Sequence, residues 1–502
     1  MQNKPGTFIF WITIGAIFVF ALILNLSNNH FPLGYHFDEP KKVRFILTGA
    51  QDFHHPILML ELVRWANSWQ TSRSPQEVAE LGRTVMAIIG ACVPVVTILM
   101  SGPYLGRMGA VLVGGVLAVT PTMVLHSHYL KEDMLLVLMS AVALGGFSQY
   151  CRTRHEGWLF FAGLFWGLAM GSHYKGLLVG VAALPFLLLD RTLMWRPRLL
   201  LAMLVVGLAG LGFLLPNAII FEQWGTFVSG FNHERNHALT GHFVPILWSD
   251  FYLTYHLQYS LLPGMTYGLG AMAVGSVFWW TFRWSELERG ERIWLSFVWV
   301  SYLVPEISPL KPNPDEARYI LPAIPGLIFF TVKSFQTIWA VCLRENSSTA
   351  ATASSWARHR RPLWCYAAAM CGIVAIGLAA YDAVLLNHYL VRDTRAALER
   401  WAEGEGIQLA GEPMTGTDLH RSYAYDENFE HLREQGYTHY AISSFAYDPY
   451  LVTANLPRQL PHVEARRSVY VDLLRKGSHE FKPQHRSFGF SNPNLIVVPL
   501  QK

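Results

Sequence analysis

Ionisable residues gather at a few places in a chain that is otherwise 52% apolar and only 15% charged, and their types define a chemistry. GYHFDEPKK sets Asp38 beside Glu39, with His36, Lys41 and Lys42 close by. HSHYLKED supplies His126, His128, Lys131, Glu132 and Asp133, and GSHYKG supplies His173, Tyr174 and Lys175. KPNPDEARY supplies Lys311, Asp315, Glu316, Arg318 and Tyr319. Carboxylates together with fixed cations suit transfer of a group from a phosphate ester. One carboxylate takes the proton of an attacking hydroxyl, while the cations stabilise the charge growing on the departing phosphate. Phosphate leaves readily, so no general acid is needed, unlike glycoside hydrolysis. A single displacement inverts the attacked carbon. Charges also collect at the water ends of helices, which accounts for Glu132, Lys311 or Asp315 taken singly. It accounts less well for all four clusters falling on one face.

That common face follows from the hydrophobic pattern. A bilayer core of about 30 Å needs about 20 mostly apolar helical residues. Such runs occur at Phe8–Leu26, Val85–Met100, Met108–Leu125, Met134–Tyr150, Leu199–Ile220, Met265–Phe282, Tyr319–Cys342 and Leu363–Leu386. Trp158–Met170, Leu177–Leu189 and Ile293–Val304 are shorter, and re-entrant helices are an alternative there. The expectation is a polytopic α-helical membrane protein with about eleven transmembrane helices. Arginines set its orientation by marking the cytoplasmic loops. They stand at Arg152 and Arg154, at Arg191, Arg196 and Arg198, at Arg283, Arg289 and Arg292, and at Arg358, Arg360 and Arg361. The intervening loops and the tail are then outside. The formal net charge of +4 reflects this bias, and no nucleic-acid partner is called for.

Residues 1–386 read as the membrane domain, with an outer loop at 28–83 carrying the acidic pair, and 387–502 as a small extracytoplasmic α/β domain. The loop mixes Ile57, Leu58, Leu60, Leu62 and Val63 with Glu61 and Arg64 at helical spacing, which predicts helices lying along the membrane surface. In the tail, DTRAALERWAEG predicts a helix capped by Asp393 or Thr394 and stopped at Gly404. Tyr440–Ser443 and Leu495–Leu500 are short apolar runs. The first apolar run lacks a small-residue cleavage site and reads as a retained anchor. ENSSTAATASS, 345–355, reads as a polar cytoplasmic linker. The five cysteines show neither disulfide nor zinc spacing.

The distributed signature resembles the membrane-embedded C-type glycosyltransferases that use polyprenyl-phosphate sugars, in particular the protein O-mannosyltransferase and lipid A aminoarabinose transferase group. It comprises FDEP after the first span, HHPIL in the following loop, HYLKED, GLAMGSHYKGLL and RYILPAIPG, in the family order. The resemblance implies a polyprenyl-phosphate-linked sugar donor, a glycan, lipid or protein acceptor, and a bacterial inner membrane with the active site on the periplasmic side. It makes Asp38 the catalytic base, with Glu39 as its neighbour in the acidic pair. It puts Asp133 near the site, and Lys175 and Arg318 near the lipid phosphate. Lys131, Tyr319 and His55 complete the candidate substrate-binding set, although Tyr319 also suits an interfacial aromatic belt. Many relatives have HPPL where this chain has His55, Pro56, Ile57 and Leu58, so sugar and acceptor do not carry over. Carboxylates and imidazoles together are compatible with Mg²⁺, Mn²⁺ or Zn²⁺, no spacing being diagnostic.

Two other classes compete. A transporter or flippase keeps its ionisable groups near the membrane midplane, often in repeated halves, whereas here they stand at the outer ends without visible repeats. A whole-glycan ligase shares the setting, and the early acidic pair followed by HHPIL favours single-sugar transfer.

Overall fold

The computed structural model describes residues 5–69, 74–240, 253–308, 311, 317–348, 363–416, 422–452 and 461–500. Asp315 and Glu316, residues 241–252 in the middle of the second outer loop and most of the 345–355 linker lie outside the described residues.

Helix α1, Pro5–Leu26, carries no charged residue in its first or last turn. It leaves Phe8, Ile9 and Trp11 exposed, as expected of a lipid-facing surface. The first outer loop forms α2, Glu39–Thr48, and α3, Leu58–Asn67. Their apolar faces, including Val43, Ile46, Leu60 and Val63, share a core with Val78, Ala79 and Met86 of α4, Pro75–Ala118. A capping box starts α4: the Ser74 hydroxyl accepts the Glu77 amide, and the Ser74 amide donates to the Glu77 carboxylate.

Although α4 runs for 44 residues, it is not straight. Gly106 is left-handed at φ 67°, and a Cβ on Gly114 would fall 2.3 Å from Ile98 Cδ1. A straight helix separates residues 98 and 114 by about 24 Å, so the halves must fold back on each other. The sequence runs Val85–Met100 and Met108–Leu125 are therefore two arms of one hairpin. The second arm ends at Ala118, and α5, Pro121–Ser127, follows a break at Thr120.

Helix α6, Asp133–Thr153, is the most enclosed of the long apolar helices, 89% of its apolar window being buried. Helices α7, Gly157–Ser172, and α9, Trp195–Asn217, approach closely through glycines. A Cβ on Gly167 would meet the Ala209 carbonyl at 2.2 Å. Helix α8, Leu177–Leu188, is short, and α10, Trp224–Thr240, follows α9. Later come helices Tyr267–Phe282, Arg289–Ile307, Ile324–Ser348 and Leu363–His388. Among the described residues, six helices are long and apolar enough to cross a membrane. A bent pair, Leu257–Met265 with Tyr267–Phe282 at 113°, raises this to seven. The sequence count of about eleven exceeds this because the α4 arms are merged, α7 and α8 are short, and helix Arg289–Ile307 is not among the six.

The C-terminal region contains a four-stranded sheet in the order β1-β2-β4-β3, with β1 Leu409–Gly411, β2 His439–Ser443, β3 His479–Phe481 and β4 Leu495–Pro499. β1 and β2 are parallel; β4 runs antiparallel to both neighbours, with Tyr440 opposite Val498. Helix Thr394–Gly404 starts at Asp393, whose carboxylate accepts the Arg395 amide.

Glu412, just past β1, is buried and accepts from the Tyr470 hydroxyl and the Ala424 and Ser443 amides. Burial pushes its carboxyl up to about 7 against these three donors. The folded state therefore holds a proton that the unfolded chain has released, so this contribution is complete below pH ~4.5 and is lost as pH rises through ~7. The loss amounts to at most about 3 kcal/mol. Local stability around this sheet, read by amide exchange, is expected to fall across that window in the wild type and to stay flat in Glu412→Gln. Equal slopes would refute the assignment.

Candidate active site

Asp38 is the residue before α2, and its amide donates to His36 Nδ1 at 3.2 Å. Its side chain is 21% exposed, while that of Glu39 is 0% exposed. The two members of the acidic pair thus face different surroundings. Asp38 Oδ2 meets Lys131 Nζ at 2.6 Å and Arg318 Nη1 at 3.2 Å. Burial alone would raise the Asp38 carboxyl, but Lys131 and Arg318 outweigh it and hold the group well below the usual carboxylate range.

Glu39 departs from the sequence expectation of a catalytic neighbour. Its Oε2 lies 2.5 Å from Arg83 Nη2, and its Oε1 accepts from Arg83 Nε and from the Leu130 amide, both at 3.0 Å. Arg83 also donates to the carbonyls of Asn29 and Phe31. With both oxygens engaged and no exposed surface, Glu39 is a structural tie between α2, α4 and the residues before α6. Sequence reading missed Arg83; its one signal is an arginine inside an apolar helical pattern.

Lys131 also pairs with Glu132 at 3.1 Å. Glu132 in turn meets Lys42 at 3.2 Å and His55 Nε2 at 3.1 Å. The rings of His55 and His173 are 4.6 Å apart. One ligand atom from each of His55, Glu132 and His173 lies within 4.8 Å of the others. These residues form a second cluster joined to Asp38 through Lys131. Asp133, the first residue of α6, is buried with Oδ2 4.0 Å from His126 Nδ1.

Lys175 Nζ stands 4.0 Å from the centre of the Tyr319 ring, and Arg318 donates to the Tyr319 hydroxyl at 3.4 Å. Tyr319 therefore stands between Lys175 and Arg318. Lys311 goes elsewhere: it is buried on the Pro305 carbonyl and on Glu306. His54 stacks on His233 of α10 at 4.0 Å and pairs with Asp52 at 3.3 Å, apart from Asp38. Phe490, from the C-terminal region, was not anticipated. Its ring lies 4.2 Å from His36 and 5.4 Å from the Arg318 guanidinium.

The arrangement offers one partly open carboxylate facing Lys131 and Arg318, with Lys175 close to them. Chemically it can accept a proton at Asp38 and hold an anion beside it.

Residues 77–219 match the family described as dolichyl-phosphate-mannose-protein mannosyltransferase. No curated protein matches the chain in sequence. Among solved structures, ArnT from Cupriavidus metallidurans bound to undecaprenyl phosphate matches with a TM-score of 0.57 and 14% identity, covering 98% of both chains. The archaeal oligosaccharyltransferase AglB from Archaeoglobus fulgidus, in complex with an inhibitory peptide and a dolichol-phosphate, matches at 0.53 and 11%, covering 90% of this chain and 72% of that one. The oligosaccharyltransferase of the same organism in complex with Zn and sulfate matches at 0.54 and 13%, covering 95% and 73%. At such identities the solved structures establish a shared fold. Taken with the match over residues 77–219, that fold makes the chain similar to the protein mannosyltransferases and to ArnT, with several apolar helices able to cross a membrane.

Proposed function

We propose that the chain transfers a single sugar, with inversion, from a polyprenyl-phosphate carrier to an acceptor hydroxyl at the outer face of the membrane. The observation that carries the proposal is the contact of Asp38 with both Lys131 and Arg318. A carboxylate bound by two cations is a poor base. A phosphate entering the site competes for those cations, and each contact that it takes away restores the proton affinity of Asp38. Donor binding and base activation are thereby coupled.

In the reaction the acceptor oxygen attacks the anomeric carbon as its proton passes to Asp38. The bond from that carbon to the phosphate oxygen breaks, and the electron pair leaves with the lipid phosphate. Lys131, Arg318 and Lys175 take up the charge. Undecaprenyl phosphate and dolichol-phosphate in the ArnT and AglB structures support a carrier of this class.

With the α4 arms and the shorter apolar helices counted as crossings, about eleven crossings put the four clusters outside a bacterial inner membrane, on the periplasmic side. Residues 1–386 form the transferase domain, and 387–502 an extracytoplasmic domain.

His55, Glu132 and His173 are a donor set of the kind that holds zinc. Burial, together with Lys131, His173 and Lys42, keeps the His55 imidazole well below the usual histidine range despite Glu132, hence neutral and fit to be a ligand. Among the described residues His55 Nδ1 has no hydrogen-bond partner. Lys42 and Lys131 oppose a cation here, so an ion fits only if one of them turns away. Such an ion would add positive charge beside the phosphate site.

Three outcomes follow. Asp38→Asn is expected to lose about 10²–10⁴-fold in transfer from a radiolabelled polyprenyl-phosphate sugar panel, with its unfolding midpoint in detergent unchanged. Transfer retained would remove Asp38 as the base. Glu39→Gln is expected to act on stability, leaving Arg83 buried and unpaired at a cost of about 3–5 kcal/mol, read as a lowered unfolding midpoint. An unshifted midpoint would refute the tie. Elemental analysis of purified protein is expected to find a bound divalent ion that His173→Ala loses; a metal-free wild type would leave Glu132 to its lysines.

A further inference from the structure

The hairpin around Phe490 reaches the site from the end of the chain, and the way it is anchored gives it a task. Phe488 and Ser491 exchange backbone hydrogen bonds at 3.3 and 3.2 Å across Gly489, which is left-handed at φ 61°. A Cβ on Gly489 would fall 2.8 Å from Leu125 of α5, so the turn lies directly on the membrane part. Buried Arg395 fixes it from behind. Its guanidinium pairs with Asp393 at 2.7 Å and donates to the carbonyls of Phe490, at 2.8 Å, and Tyr35, at 2.7 Å. Asp393 also accepts the Asn492 amide at 2.6 Å. One buried ion pair therefore holds both the hairpin and the loop that carries His36 and Asp38.

On that base the Phe490 ring makes two contacts that matter for the reaction. It packs on His36, which lies 4.6 Å from the Tyr129 ring. His36 is fully buried, and its Nδ1 accepts the Asp38 amide. A ring wedged between two aromatics cannot rotate freely, so the Asp38 backbone is held with it. The same Phe490 ring presents its π system to the Arg318 guanidinium at 5.4 Å, a cation–π contact worth about 0.5–2 kcal/mol.

We propose that Phe490 is a positioning residue of the transferase site, aligning Asp38 through His36 and Arg318 through its ring, so that the C-terminal domain is a working part of the catalytic centre. The proposal rests on the reaction assigned above to Asp38 and Arg318. Phe490 acts through His36 and Arg318, setting the angle at which base and cation meet donor and acceptor. A misplacement of about 1 Å at such groups costs up to about 100-fold in rate.

The test compares Phe490→Tyr, which keeps the ring, with Phe490→Leu, which keeps an apolar side chain of lesser volume without a π face. Unfolding midpoints of both are measured in detergent. Phe490→Tyr is expected to stay within about twofold of wild type. Phe490→Leu, with an unchanged midpoint, is expected to lose about tenfold or more in kcat and to raise the donor KM. Wild-type kcat and KM in Phe490→Leu, or a Phe490→Tyr as impaired as Phe490→Leu, would overturn the proposal. Binding of sugar-free undecaprenyl phosphate, read as a thermal shift, separates this from failure of the reaction itself. If wild type transfers no sugar, weaker binding by Phe490→Leu than by Phe490→Tyr still supports the alignment of Arg318, and equal binding overturns it.

Discussion

The structure around the site depends on the buried pair of Glu39 and Arg83. Glu39 is adjacent to Asp38, and its carboxylate accepts the amide of Leu130, which is adjacent to Lys131. The pair therefore sets Asp38 and Lys131 facing each other across two segments that are distant in sequence. Arg83 adds the carbonyls of Asn29 and Phe31, fixing the exit of α1 in the same knot. A buried ion pair recovers little net stability, because desolvating both charges offsets their attraction. Its contribution here is geometric: an apolar replacement of equal volume would fill the space without specifying where residues 38 and 131 lie.

Charge balance explains how so many ionisable groups coexist. Asp38 and Glu132 are shared among Lys42, Lys131 and Arg318, leaving positive charge in excess. An anion is the natural complement, and in the proposed reaction the lipid phosphate is that anion. The buried histidines avoid adding to that excess. His36 and His55 are both held well below the usual histidine range, burial being the largest cause in each, and so remain neutral among cations. Neutrality lets His36 accept the Asp38 amide through Nδ1, which a protonated ring could not do.

The sequence revealed the participants better than their division of labour. Lys131, Lys175, Arg318 and Asp38 are unusual at the ends of apolar runs, and the fold brings them together from four segments. Glu39 looked like a second catalytic carboxylate because adjacency in sequence hides the turn into α2 that sends neighbouring side chains to opposite sides. Lys311 belonged to the same motif as Arg318 but serves Glu306. Arg83, Arg395 and Phe490 were not legible: each looks ordinary within its segment, and only long-range contacts give it meaning. The helical elements were visible as hydrophobic runs, whereas the fold-back at Gly106 and the 113° bend required coordinates.

That bend also shows why the tail and the membrane part are hard to separate. At Thr266 the helix Leu257–Met265 breaks from its continuation, and a break leaves carbonyls without helical partners. Arg486 of the tail donates to the Pro263 carbonyl at 2.8 Å while pairing with Asp382 of the last long apolar helix at 2.5 Å. Gly264, in the same turn, lies so close that a Cβ would meet Thr122, Ala317 and Phe488 between 3.2 and 3.4 Å. Ala317 immediately precedes Arg318. The break thus makes room for the segment carrying Arg318, and the tail adds a second donor to the Pro263 carbonyl, which also accepts the Thr266 amide. Removing the tail would take away the contacts of Phe490 with His36 and Arg318 and also a hydrogen bond to the membrane helix beneath it, so truncation cannot be read as loss of an accessory module.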